Sequence, residues 1–424
     1  MSVSVCLILK EERMDKGTNS YDYIVVGAGF AGAVAARELA EKGNKRILII
    51  DSRDHVGGNC YDAPDEDGIL IHKYGPHIFH TDIERVYTFL SRFTDWYDYS
   101  HEVVARVGDE LIPVPFNLNT LDMVFKDRAP ALERLLKDKF GEGARVPILK
   151  LRQADDPGLK EIADYVYNNI FLKYTLKQWG KKPEEIDEGV SGRVPVVVSR
   201  DNRYFRDKYQ GMPAEGYTAL FEKMLDHENI TVKLSTEADS VIRLSDMGDG
   251  SVEQASGSAP DGQKDQRVIY ARPDQTDEWE RYFGRVIFTG AIDELFDCCY
   301  GRLPYRSLRF DFSHYDEEHF QSHGVVNYTV SEDFTRITEF KYLTGQTDTD
   351  GTTIVREYPF SYTGADGEIP YYAINNTEND EMYDKYKRLA DKYGLILIGR
   401  LAEYRYYNID AIVDRALDVV SKIL

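Results

Sequence analysis

Two uninterrupted apolar runs, Tyr23–Val26 (YIVV) and Ile47–Ile50 (ILII), predict short strands buried on both faces, and the segment between them predicts a helix ending near Lys42. Apolar residues recur at helical spacing over residues 82–93 and 118–140, and the same character continues through 155–179, so a mainly helical part follows. Residues 101–115 (HEVVARVGDELIPVP) alternate as strands do, with Gly108-Asp109 as the turn of a hairpin. The second half changes texture: residues 325–342, 353–358 and 371–374 are β-branched and aromatic with turn residues between, which predicts an antiparallel sheet. Residues 286–290 (VIFTG) and the run LILIGRLAEYRYYNID read as strands ending in glycine turns that return the chain to its first unit. The fold class is therefore α/β with an inserted helical domain and a mainly antiparallel sheet domain.

What joins the first two strands carries chemistry. Gly27-x-Gly29-x-x-Gly32 follows the first strand and opens the helix, and Asp51 ends the second, which is the pattern of a Rossmann-like dinucleotide-binding unit. Gly27 permits the turn, Gly29 lets backbone approach a pyrophosphate, Gly32 lets helix and strand pack, and Asp51 accepts from a ribose hydroxyl. Phe30 begins the helix whose free N–H groups face the phosphates. Arg53 and a second glycine turn, Gly57-Gly58-Asn59, lie just past the acid, and Gly399-Arg400 offers another backbone contact. An extended FAD fits this better than NAD. A ligand-free β-turn at Gly57-Gly58 is the bland alternative.

Length and charge narrow the class. At 424 residues, two or three domains are expected. A formal charge of −21 opposes nucleic acid and anionic membrane, and it requires any phosphorylated substrate to be met by arginines concentrated in a cleft. Cys6, Cys60, Cys298 and Cys299 show no metal spacing and read as reduced cytosolic thiols. The run SVSVCLIL is too short for a membrane span and lacks a basic leader, so residues 1–20 read as a flexible leader, with Met14 as an alternative start. The expected organisation has a discontinuous FAD-binding domain (21–80, 190–245, 285–300 and 394–424), a helical domain (81–100 and 116–189), a sheet domain (101–115 and 301–393) and a polar surface insertion at 246–266.

Several further residues are candidates for a site. His72, His77 and His80 cluster in IHKYGPHIFHT without a cysteine or Glu-x-x-His, so no metal is assigned; a flavin-side role for His77 and His80 and a structural one both stay open. Tyr174 and Trp179 flank Lys177 at a helix end, where aromatics are core or stacking faces. Arg193, Arg336, Tyr372 and Tyr406 are candidate anion ligands, although any lone arginine is ordinarily a surface ion-pair partner.

Taken together, GAGFAG, RDHVGGN, HKYGPHIFHT, KQWG, RVPV, RDKYQGMPAEGYT, TRITEF, REYP, PYYAIN and GRLAEYRYYNID resemble the UDP-galactopyranose mutases, from about Tyr21 to the C-terminus. The resemblance implies a cytoplasmic isomerase, commonly a homodimer without a membrane span. It implies FAD held reduced, whose N5 attacks the anomeric carbon of a UDP-sugar, so that UDP-galactopyranose and UDP-galactofuranose interconvert to supply cell-surface glycans. It also implies residue roles. Arg193 and Arg336 clamp the diphosphate, Tyr372 and Tyr406 contact the phosphates, Tyr174 stacks on uracil, Trp179 and His101 lie by the sugar, and His77 and His80 lie by the flavin. Asn408 stands where many members carry Asp, on the substrate side; Asp51 replaces a more usual Glu. Such departures leave the sugar open, with UDP-N-acetylgalactosamine an alternative. An amine-oxidase-like flavoenzyme would share the FAD half yet need no diphosphate clamp, and a dinucleotide sensor would need neither clamp nor aromatics.

Overall fold

A computed structural model describes residues 21–185, 195–245, 268–272 and 278–424. The expected leader, the insertion at 246–266 and Arg193 lie outside the described residues.

The two apolar runs form β1 (Tyr23–Val26) and β2 (Ile47–Ile50), joined by α1 (Phe30–Gly43). They sit inside a five-stranded parallel sheet with β3 (Ile230–Lys233), β4 (Arg285–Phe288) and β5 (Ile396–Leu397), in the order β3-β2-β1-β4-β5. All eight residues of β1 and β2 are buried because both faces are covered. Val25, Ile47 and Ile49 pack under α1 and the helices Gly216–Leu225 and Ile409–Ile423. Ile24, Val26, Leu48 and Ile50 pack under a small antiparallel sheet of Ile242–Ser245, Val268–Ala271 and Glu280–Arg281. Unbroken apolar runs are the sequence signature of such two-sided burial.

A second sheet has seven strands, in the order Tyr372–Ala373, Tyr305–Tyr315, Thr352–Ser361, Arg336–Glu339, Val325–Tyr328, Val103–Val107, Glu110–Val114. Neighbours run antiparallel except Val325–Tyr328 and Val103–Val107, which are parallel. That single pairing attaches the early hairpin, turned at Gly108 (φ +62°) and Asp109, to strands found two hundred residues later in the chain.

Some expected elements break. Residues 118–140 are two helices, Leu118–Phe125 and Ala129–Phe140, separated by a turn at Lys126 (φ +48°). Pro130 sits in the first turn of the second helix, where its missing N–H costs nothing, whereas inside one continuous helix it would remove a ladder bond. The expected run 325–342 is likewise two strands, then the helix Phe340–Thr344, which buries Phe340 and Leu343. Residues 157–179 stay helical through a π turn at Tyr167–Phe171. Val196 and Val198 pack into the core formed by these helices.

Candidate active site

A cleft of 890 Å³ opens at the C-terminal edge of the parallel sheet, where sheets of this kind bind ligands. Gly27, Gly29 and Phe30 line it after β1, Asp51, Arg53, Gly58 and Asn59 after β2, Thr289 after β4, and Gly399 and Arg400 after β5. Gly27 has φ +104°, and a Cβ there would lie 2.0 Å from Thr289 Oγ1; a Cβ at Gly32 would lie 1.9 Å from the Gly27 carbonyl. Turn and helix packing therefore exclude side chains at both, as their places in the motif require. Gly29 is different. Its φ is −80° and its Cβ would come no closer than 3.6 Å to any atom, Gly58 Cα being the nearest, so the protein itself tolerates alanine there. The bare backbone of Gly29 serves whatever enters the cleft.

Three donor and acceptor groups fit a dinucleotide. Asp51 accepts from the N–H of Ala28 (2.8 Å) and of Arg53 (3.0 Å), which leaves two of its roughly four lone-pair sites for ribose hydroxyls. Arg53 lies over Tyr74 (4.3 Å) and donates Nη2 to Asn59 (2.9 Å), while its buried Nη1 has no partner among the described residues. An orphaned buried donor costs about 1–3 kcal/mol unless a ligand supplies an acceptor. The α1 N-terminus carries no acidic residue in its first turn, so its free N–H groups suit phosphate.

A second group forms around Arg336. This residue opens the strand Arg336–Glu339 directly across from Glu357, and its Nε donates to Glu357 Oε1 at 2.5 Å. Burial by itself would lower the guanidinium pKa, but the buried Glu357 carboxylate outweighs it and holds the charge on. Tyr174, Tyr372, His77 and His101 all lie within the field of this one cation. Burial raises both phenols, Tyr372 to about 12, despite the pull of Arg336, so at neutral pH they remain O–H donors. The Tyr372 ring lies 5.7 Å from Trp179 and 6.0 Å from Tyr406, nearly parallel to the latter. Arg400 packs over Tyr406 at 4.5 Å while also lining the cleft, so it joins the two groups. A fixed cation, phenolic donors and flat rings are what a diphosphate attached to a base and a sugar needs.

The histidines divide. His77 lines the cleft, with Nδ1 2.9 Å from the Gly75 carbonyl; burial, then His72, Arg400 and Arg336, push its pKa down to about 3. His101 is also held neutral, pushed to about 3 by burial, then by Arg336 and His80, and its Nδ1 lies 3.0 Å from the Tyr99 hydroxyl. His80, expected beside the flavin, does not line the cleft. It stacks on Phe205 (3.6 Å between centroids) with Nδ1 3.2 Å from Asp207, within ion-pair range but not aligned as a hydrogen bond. The structure places Asn408 on the cleft. Expected with the substrate residues, it lines the dinucleotide cleft as the N-cap of Ile409–Ile423. It stands there because the Gly399-Arg400 turn and that helix both end on the parallel sheet, not on the seven-stranded one.

Reading the sequence missed Glu357 and Thr289 as members of the site, and Phe205 and Asp207 as the partners of His80. Glu357 had a signal, an acid in REYP at strand alternation from Arg356. The others had none, because only strand pairing and loop path bring them in.

The fold and site define a class: a dinucleotide-binding α/β protein whose cleft is joined to a separate pocket of cation and aromatic groups. Residues 25–93 match the model of an NAD(P)-binding Rossmann-like domain, and residues 169–406 match the family model GLF, UDP-galactopyranose mutase. The UDP-galactopyranose mutase of Mycoplasma genitalium is 33% identical over the whole of both chains. The dTDP-fucopyranose mutase of Escherichia coli is 34% identical, covering 93% of this chain and 96% of its own. A crystal structure of reduced UDP-galactopyranose mutase superposes with a TM-score of 0.64 over 95% of both chains, at 15% identity. The chain belongs to the UDP-galactopyranose mutase family. Among the described residues, no helix is long and apolar enough to cross a membrane.

Proposed function

We propose that this protein interconverts UDP-galactopyranose and UDP-galactofuranose, with FAD in the 890 Å³ cleft and the nucleotide sugar across Arg336. The observation that carries this is the gathering of Tyr174, Tyr372, His77 and His101, from four separate segments, around one guanidinium fixed by Glu357. Gly29, Asp51 and Arg53 would hold the cofactor through its diphosphate and ribose. Reduced FAD, when bound, supplies the electron-rich centre that reacts with the sugar's anomeric carbon. The protein's residues do the rest. Arg336, with Tyr372 and Tyr406 as donors, carries the charge that develops on the UDP leaving group. Tyr174 stacks on the base, Trp179 and His101 border the sugar, and His77 stays neutral so that it accepts or donates without adding charge. Arg193 completes the clamp. Seen this way, a protein of charge −21 tolerates an anionic substrate because specific cations sit inside it.

The 34% identity to a dTDP-fucopyranose mutase favours a second reading of the same chemistry on a 6-deoxy sugar. Product analysis separates the readings. Dithionite-reduced protein is incubated in parallel with UDP-galactofuranose, dTDP-fucopyranose and UDP-N-acetylgalactosamine, and the isomers are resolved by chromatography. Pyranose product from UDP-galactofuranose, formed only with reduced flavin and without oxidant consumption, supports the assignment. Oxygen consumption with an amine and no isomer would replace it with an oxidase. The reading includes a cytoplasmic homodimer, checked by light scattering of the FAD-loaded protein.

A further inference from the structure

Tyr174 and Trp179 share the helix Leu172–Trp179, yet Arg336, Tyr372 and Tyr406 belong to other elements. The two halves of the pocket therefore meet only if something fixes that helix against the seven-stranded sheet. Two cations do so, Arg306 buried and Lys177 half-buried. Lys177 Nζ donates to three backbone carbonyls of the loop that leads into Thr335-Arg336: Tyr328, Glu332 (3.0 Å) and Phe334 (3.0 Å). Arg306, 6% exposed, lies on the strand Tyr305–Tyr315 directly across from Tyr372 and donates Nε to the Gln178 carbonyl (2.8 Å) and Nη2 to the Lys177 carbonyl (3.0 Å). Its Nη1 reaches Ser361 Oγ at 2.9 Å. A third tie runs from Thr329 Oγ1 to the Asn169 carbonyl (2.6 Å), inside the π turn that precedes the helix.

The chemistry of this arrangement is unusual for a buried cation such as Arg306, which ordinarily pairs with a carboxylate. Neither Lys177 nor Arg306 has a carboxylate within ion-pair distance among the described residues; both are satisfied by neutral acceptors. For Arg306 the helix C-terminus supplies part of the compensation, since its last carbonyls carry the negative end of the dipole. For Lys177 three carbonyls turned toward one ammonium play that part. A carboxylate here would pair each cation more strongly but would stand beside the pocket that takes a diphosphate. The carbonyls hold both cations directly, while around Lys177 the carboxylates of Glu332 and Asp333 add to the field from beyond ion-pair distance.

We propose that Lys177 and Arg306 form a latch that fixes the Tyr174–Trp179 helix against the seven-stranded sheet, Lys177 at the approach to Arg336 and Arg306 beside Tyr372, and that they are positioning residues for nucleotide recognition. The inference rests on the proposed function, in which Tyr174 stacks on the base. Lys177 ties the helix to the segment immediately before Arg336, so losing it lets the stacking face move relative to the diphosphate clamp. The consequence falls on nucleotide affinity, because base and diphosphate must be engaged at one fixed separation. It does not fall on FAD, whose contacts lie on the parallel sheet.

The test uses FAD-loaded, reduced protein with the variants Lys177→Met, Lys177→Arg and Tyr174→Ala. UDP affinity is measured by calorimetry, FAD content by absorbance, and KM and kcat by product analysis. Lys177→Met is expected to weaken UDP binding and raise KM about tenfold or more, with FAD content unchanged and kcat less affected. Lys177→Arg, which keeps a cation with several donors, is expected to recover much of the affinity. Hydrogen exchange at residues 172–179 and 328–334 is expected to accelerate in Lys177→Met while the parallel sheet stays protected, which is read even where turnover is lost. Unchanged UDP affinity in Lys177→Met, alongside weakened binding in Tyr174→Ala, overturns the latch and leaves the nucleotide site standing. Unchanged affinity in Tyr174→Ala overturns the nucleotide site itself, and the latch with it.

Discussion

Removing Arg336 separates what it does for the fold from what it does for the ligand. Glu357 is 2% exposed and accepts from Arg336 Nε at 2.5 Å, so Arg336→Ala leaves a carboxylate buried without its cation. Breaking a buried pair on one side costs about 3–5 kcal/mol. The Arg336 side chain keeps 26% exposure, through which water reaches the vacated site, so the lower end, about 3 kcal/mol, is the expected loss. The ligand effect is distinct. Each charge-assisted contact from the remaining guanidinium N–H groups to a diphosphate is worth about 1.5–3 kcal/mol. One such contact corresponds to roughly a 10- to 100-fold loss of UDP affinity, and transition-state charge enlarges the loss in kcat/KM. The double variant Arg336→Met/Glu357→Gln removes both charges and is expected to regain most of the stability but none of the turnover. Thermal unfolding, UDP calorimetry and product analysis on FAD-loaded protein measure the three quantities. Near-normal turnover in Arg336→Ala, or turnover restored in the double variant, refutes the reasoning.

Two further outcomes follow from the cleft and the histidines. Gly29→Ala is expected to fold normally, since its Cβ comes no closer than 3.6 Å to any neighbour, but to purify with at least tenfold weaker FAD binding, read from flavin absorbance after dialysis; full retention of flavin would contradict the role given to its bare backbone. His77 and His101 have folded pKa values of about 3, below the ordinary 6.5, because burial disfavours their charged forms. Their contribution to stability is therefore present above pH 6.5 and lost as pH falls from there toward 3, with each histidine adding about 1.4 kcal/mol per pH unit to the slope. Denaturant unfolding between pH 6 and 4 is expected to show a slope shallower by about that amount in His101→Asn than in the wild type.

Much of the cleft was legible because its parts are local. Gly27, Gly29, Gly32 and Asp51 fall within one βαβ unit, whose turn, helix and strand follow from apolar runs and glycine spacing over about thirty residues. The pocket around Arg336 was not legible from periodicity. Arg336 and Glu357 face each other across two strands, and nothing in TRITEF or REYP alone fixes that register. The same limit applies to His80 and Asn408. His80 and Asn408 were assigned by their motifs, but the path of each loop turns them toward Phe205 and Asp207 in one case and toward the dinucleotide cleft in the other.

By itself the sequence determined the elements and the cofactor class. Uninterrupted apolar runs demand burial on two faces, and glycine at positive φ or at close approach is a requirement no other residue meets. Tertiary structure alone decided which distant residues share a field. It joined the hairpin at 103–114 to the strand Val325–Tyr328, set Glu357 against Arg336, and hung the Tyr174 helix on Lys177 and Arg306. The physical reason is one of range. Propensity and periodicity act over a few residues, whereas a buried charge is stabilised only by whichever groups the folded chain brings within a few ångströms of it.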